Sequence, residues 1–175
     1  MSRAGPKAPR TLAEFMQKAL EMEIEASQRY AEFADAMEMH NNREVADLFR
    51  RMSGIENRHA EQIMAEMGWK EPPPPTPGGF RWEGFEAPET IAVDEVHYLM
   101  QPYHALTLAL ASEERAERFF AQMAEAATTE PVRKAALELM GEEREHVELI
   151  RQWMQKVPKP DRNWADDPDP PRYTD

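Results

Sequence analysis

Four long, proline-poor segments of this chain each carry a glutamate in the middle of the stripe that must face a core. In the first, Met16, Ala19, Glu23, Ala26, Tyr30, Phe33 and Met37 follow alternating steps of three and four, the spacing of one helix face. The second repeats the alternation with Val45, Phe49, Met52, Glu56, His59 and Ile63. The third does so with Leu106, Ala109, Glu113, Ala116, Phe120, Met123 and Ala127, and the fourth with Val132, Ala136, Leu139, Glu143, His146, Ile150 and Trp153. A chain with this pattern is expected to be all-α, with four helices packed so that four carboxylates meet inside an apolar bundle.

The breaks between segments support that reading. The first helix is predicted from after Thr11 to about His40, ending at Asn41-Asn42, and the second from Arg43 to Met67 with Gly68 as its stop. The third is predicted from Pro102 to Ala127. The fourth starts with Thr129 as cap and Pro131 in its first turn and runs to about Gln155. Between the second and third lies a long connection, 68–101, opening with a run of prolines over Glu71–Gly79 that cannot be helical. Its aromatics Phe80, Trp82 and Phe85 are expected to pin it to the bundle, with a short helix around Val93–Met100. The bundle is taken as residues 1–157, and the Pro- and Asp-rich stretch 158–175 as a flexible tail, mobile or laid on the surface.

Four ionised carboxylates cannot share an apolar interior uncompensated, because even one unpaired buried charge costs several kcal/mol. Two divalent cations balance four negative charges, and two neutral imidazoles add nitrogen ligands without disturbing that balance. In Glu-x-x-His the two side chains share a helical face one turn apart, so each pair can serve one metal. A Glu from each of two helices and Glu-x-x-His from each of the other two is the arrangement of di-iron and di-manganese carboxylate bundles. Here the candidate ligands are Glu23, Glu113, Glu56 with His59, and Glu143 with His146.

The pattern is also duplicated. The stretch around Glu23 and Tyr30 aligns with that around Glu113 and Phe120 at an offset of 90 residues, and the two Glu-x-x-His pairs recur at an offset of 87. A single such pair is weak in so glutamate-rich a chain. Two that are repeat-related and both on the core stripe are strong.

The other constraints are mostly exclusions. The chain has no cysteine, which removes disulfides, thiolate zinc, iron–sulfur clusters and thiol catalysis, and leaves only Glu, Asp and His as metal ligands. A net charge of −12 argues against nucleic acid as a partner. No run of 18 apolar residues exists and no apolar stretch follows the basic start, so no membrane association and a cytoplasmic location are expected. His40 at a helix end, and His97 and His104 on either side of Pro102, are weaker metal candidates. The 12 methionines fall mostly on core stripes and read as gap fillers.

The motif AL-x-x-E-x-x-A-x-x-x-Y, then E-x-x-H, then the same again, resembles the rubrerythrin-type branch of the ferritin-like proteins over about residues 12–155. The resemblance implies a ferritin-like four-helix bundle with a long crossover between helices two and three. It also implies a non-haem di-iron centre at the six positions named, with Glu56 and Glu143 bridging and Glu23 and Glu113 terminal. The implied activity is that of an oxidoreductase reacting with dioxygen or hydrogen peroxide. The alternatives are a ferroxidase or iron-handling protein, and a non-catalytic bundle stabilised by manganese or zinc.

Two departures from the family pattern matter. Rubrerythrins proper carry a rubredoxin module with four cysteine ligands, so without cysteine the electron donor must be external. They also carry an extra glutamate one turn after the third-helix ligand, where this chain has Ala116. Ala26 and Ala116 either leave room for a small oxidant or allow tight helix packing. Tyr30, two turns after Glu23, either hydrogen-bonds a ligand carboxylate or packs as a core ring. A homodimer is expected, as such bundles often pair through apolar helix faces.

Overall fold

A computed structural model of the chain describes residues 9–74 and 96–169. Four helices are present in this part: α1 Leu12–Met39, α2 Arg43–Met67, α3 Pro102–Ala126 and α4 Glu130–Lys156. The boundaries lie within a residue or two of those predicted, because the sequence carries explicit start and stop chemistry. Thr11 caps α1 by accepting from the Glu14 amide, Pro131 occupies the first turn of α4, and Gly68 ends α2 at φ 68°, a left-handed conformation that costs glycine least.

Asn42 does more than cap. Its Oδ1 accepts from the Val45 amide at 3.4 Å, while its Nδ2 donates to the Met100 carbonyl at 2.7 Å and the Tyr98 carbonyl at 3.3 Å. The α1–α2 turn is thereby tied to the chain entering α3. The preceding Asn41 sits at φ 58°, which asparagine tolerates better than most residues. Replacing Asn42 by Ala removes all three bonds. It is expected to cost roughly 1–2 kcal/mol and to lower the melting temperature by about 3–6 °C in a thermal scan.

The core consists of two apolar clusters. One gathers Phe15, Leu20, Ile63, Phe120, Met123, Val132 and Leu139; the other gathers Tyr30, Phe33, Phe49, Met52, Leu106 and Ile150. Along α1 and α4 the chain runs from the first cluster to the second, whereas along α2 and α3 it runs from the second to the first. Helix α2 therefore ends at the opposite end of the bundle from the start of α3. Their connection must span a helix of 25 residues, roughly 37 Å, which is why it is long. The hairpins α1–α2 and α3–α4 are the main packing units, with thinner contacts closing α2 on α3 and α1 on α4. Within the first hairpin Ser27 and Ser53 each donate to the other's carbonyl, at 3.0 and 2.8 Å.

The predicted short helix near Val93–Met100 is not formed over 96–100, where the chain makes a turn closed by the Met100 amide on the His97 carbonyl at 3.0 Å. Pro102 forces the preceding backbone to be extended, and the Asn42 amide takes the Met100 carbonyl a continuing helix would use. Residues 93–95, and Phe80, Trp82 and Phe85, lie outside the described residues. Of the tail, residues 158–169 are laid on the surface. Trp164 packs on His104 with ring centroids 3.8 Å apart, and the Tyr98 hydroxyl donates to Asp167 at 2.6 Å. No helix among the described residues is long and apolar enough to cross a membrane.

Candidate metal centre

The four stripe glutamates form a layer between the two apolar clusters. Glu23, Glu56, Glu113 and Glu143 are each 2–3 % exposed, and they are the buried charged residues among those described. His59 and His146 reach the same layer from α2 and α4, their rings stacked with centroids 4.5 Å apart. Helical periodicity alone delivers these six side chains to one level, because each lies on its helix's core stripe at about mid-length.

The distances show a convergent set. His59 Nδ1 is 3.8 Å from Glu23, and His146 Nδ1 is 3.8, 3.5 and 3.7 Å from Glu56, Glu113 and Glu143. All are too long for good hydrogen bonds. Accordingly Glu56 Oε1, Glu143 Oε2 and the Nδ1 atoms of His59 and His146 are buried with no hydrogen-bond partner. Ligand atoms of Glu23, Glu56 and His59 lie within 4.8 Å of one another, as do those of Glu56, Glu113 and His146. With metal–oxygen and metal–nitrogen bonds of ~2.0–2.2 Å, ligands on opposite sides of one cation stand about this far apart. The site therefore fits two divalent cations: unpartnered donors, matching spacing, and a charge of four to neutralise. Glu56 belongs to both groups.

Electrostatics describe the same strain without metal. Burial pushes the Glu56 and Glu143 carboxyls well above the usual range, and repulsion from Glu113 and Glu23 adds to it. Burial also raises Glu113, but the His146 imidazole and the neighbouring carboxyls outweigh it and the net shift is downward. For His59, burial disfavours the charged form, but Glu23 and Glu142 override it and the net shift is upward.

Tyr30 is 3 % exposed, stacked on Phe49 at 6.1 Å. Of the two roles left open by the sequence, the packed ring is the one seen here: the hydroxyl makes no bond to a ligand carboxylate, and burial with the charges of Glu113 and Glu56 holds the phenol protonated well above its usual range against a smaller opposing effect of the Ser112 side chain. Ala26 and Ala116 are only half-buried, as are His59 and His146, whereas the four glutamates are buried. The weaker histidines have local structural roles. His104 Nδ1 accepts from the Gln101 amide at 3.0 Å, and His97 Nδ1 from the Leu99 amide at 3.1 Å. His40 caps α1 and leans on Tyr98.

A model of the rubrerythrin family matches residues 14–74 and 104–169, most of the chain and all six of these side chains. The chain belongs to the rubrerythrin family. A solved structure of an uncharacterized conserved protein from Magnetospirillum magnetotacticum MS-1 is similar, with 36% identity, 86% of this chain and 98% of that one covered, and a TM-score of 0.62. No curated protein matches. Rubrerythrins are ferritin-like di-iron carboxylate proteins, and the bundle of this one has the helix order and carboxylate layer of such a protein. Its 175 residues hold no cysteine and hence no rubredoxin-type iron site.

One nearby carboxylate escaped the sequence reading. Glu142 Oε2 is 3.9 Å from His59 Nδ1, beside a rubrerythrin centre it was not expected to touch. It lies off the alternating stripe, where periodicity does not look.

Proposed function

We propose that this rubrerythrin-family bundle is a non-haem di-iron oxidoreductase that reduces dioxygen or hydrogen peroxide with electrons from a separate donor. The observation that carries this reading is the pair of three-ligand groups joined through Glu56. Glu23, Glu56 and His59 would hold one ion, Glu113, Glu143 and His146 the other, with Glu56 shared. The donor set is four carboxylates and two imidazoles without sulfur. That suits iron, manganese or zinc, of which iron and manganese can supply electrons as well as Lewis acidity to a bound oxidant whereas zinc cannot, and iron is the metal of the family.

The protein's own contribution is to position and to insulate. Phe15, Leu20 and Phe120 on one side, and Phe49, Met52 and Leu106 on the other, exclude water from above and below the layer. Among the six candidate ligands, solvent reaches His59 and His146 most, their side chains being 13% and 11% exposed. Burial and mutual repulsion favour the protonated forms of Glu56 and Glu143 in the metal-free fold, so holding a cation with these oxygens would displace protons. The Tyr30 hydroxyl, whose proton is held by burial and the nearby carboxylates, would serve as a hydrogen-bond donor to a ligand carboxylate.

The test begins with metal analysis, followed by anaerobic Fe2+ loading and stopped-flow absorbance on mixing with oxygen or peroxide. The expected result is two irons per chain and a rapid rise of near-ultraviolet ferric absorption that repeats when a reductant is supplied. A single stoichiometric oxidation with net iron uptake would instead identify an iron-handling protein. Tight zinc with no response to either oxidant would leave a metal-stabilised bundle.

A further inference from the structure

The two poles of the centre are related by the internal repeat, and one of the positions at which they differ bears directly on a ligand. Glu56 and His59 correspond to Glu143 and His146 at an offset of 87, so Glu142 corresponds to Ile55. Ile55 is half-buried and packs on the apolar cluster of Phe49 and Tyr30. Glu142 projects from α4 toward the opposite pole, where its carboxylate lies 3.9 Å from His59 Nδ1 with 39% of the side chain exposed. The charged groups it faces are His59, Glu23, Glu66 and His146. Glu66 is exposed on α2, two turns beyond His59, so the carboxylates step from solvent through Glu142 to Glu23.

Glu142 is nevertheless outside the convergent sets, which contain Glu23, Glu56 and His59 at one pole and Glu56, Glu113 and His146 at the other. It touches a ligand without closing on the site. The atom it approaches, His59 Nδ1, is buried without a hydrogen-bond partner, and so is Oε1 of Glu56, a residue 3% exposed that belongs to the same ligand group. From this geometry we propose that Glu142 is a transit ligand: it takes a divalent cation from solvent and passes it to the Glu23, Glu56 and His59 pole, making that pole the one through which the centre fills. The inference rests on the metal-centre reading above. A half-exposed carboxylate can hold a partly hydrated cation, then release it inward to Glu23, Glu56 and His59, of which Glu56 Oε1 and His59 Nδ1 have no hydrogen-bond partner. The equivalent position at the other pole is closed by an isoleucine.

The experiment is metal loading of the full-length, metal-free chain with Co2+ in a stopped-flow instrument, a chromophoric chelator reporting free metal. The loaded protein is then challenged with excess EDTA. Wild type is expected to take up two Co2+ per chain. Glu142→Gln, a near-isosteric change at a half-exposed position, should take up the same number about tenfold more slowly. Release should slow by a similar factor, because a transit ligand lowers the barrier in both directions. Ile55→Glu should speed filling. Equal rates in wild type and Glu142→Gln overturn the proposal. Faster release with weakened binding also overturns it, by making Glu142 a resident ligand. If wild type takes up no Co2+, the metal-centre reading itself fails and this proposal fails with it.

Discussion

Metal-free protein given Fe2+ without oxygen, at a free concentration about a hundred times the dissociation constant, is expected to gain roughly 10–20 °C in melting temperature, since each of the two sites then adds about 2.7 kcal/mol. The effect should change character with pH. Without metal, Glu56 and Glu143 have folded-state pKa values raised above those of the unfolded chain. The folded state therefore binds more protons, and stability falls as pH rises from the ordinary glutamate range through the raised values. His59, also raised, contributes stability below its ordinary pKa that is lost as pH climbs through the folded one. Glu113 is shifted the other way, so its contribution is lost only on acidification through its lowered value. Between about pH 5 and 8 the metal-free melting temperature should thus decline, whereas the loaded protein should gain stability as protons cease to compete for the ligands. Parallel slopes in scanning calorimetry would remove the carboxylate layer from the account.

The second large effect concerns Glu56. Because it is shared by both ligand groups, Glu56→Gln should abolish tight binding at both sites, while Glu23→Gln and Glu113→Gln should each leave one. The same change should stabilise the metal-free fold. It replaces a buried carboxyl, which folding must either protonate or hold charged against Glu113 and Glu23, with a neutral amide of the same shape, and a gain on the order of 1–2 kcal/mol, or about 3–6 °C, is expected. Calorimetric stoichiometry and a thermal scan of one sample measure both. Lost metal binding accompanied by lost stability would point to a structural role for Glu56.

What the sequence made legible, and what it hid, follows from the range of the forces involved. Helix boundaries were readable because Thr11, Asn42, Gly68 and Pro131 act within a turn of themselves. The ligand layer was readable because a charge on a core stripe demands compensation wherever the helices end up. Three things depended on contacts between distant segments and were not readable. Asn42 binding the Met100 carbonyl replaced an expected helical turn. Trp164 seats the tail on His104. Glu142 meets His59 across the bundle from a position that helical phase alone assigns to neither core nor site. The unsatisfied Tyr30 hydroxyl is a further case, since spacing gave its direction and not its reach.

The connection 68–101 joins two hairpins that are chemically alike: each brings one lone glutamate and one Glu-x-x-His pair to the layer. The centre is therefore divisible. A peptide consisting of one hairpin, meeting a second copy of itself about a two-fold axis, would present the same four carboxylates and two imidazoles. Fusing two such halves in one chain frees each to change alone, and a glutamate opposite an isoleucine is what one departure from that symmetry looks like.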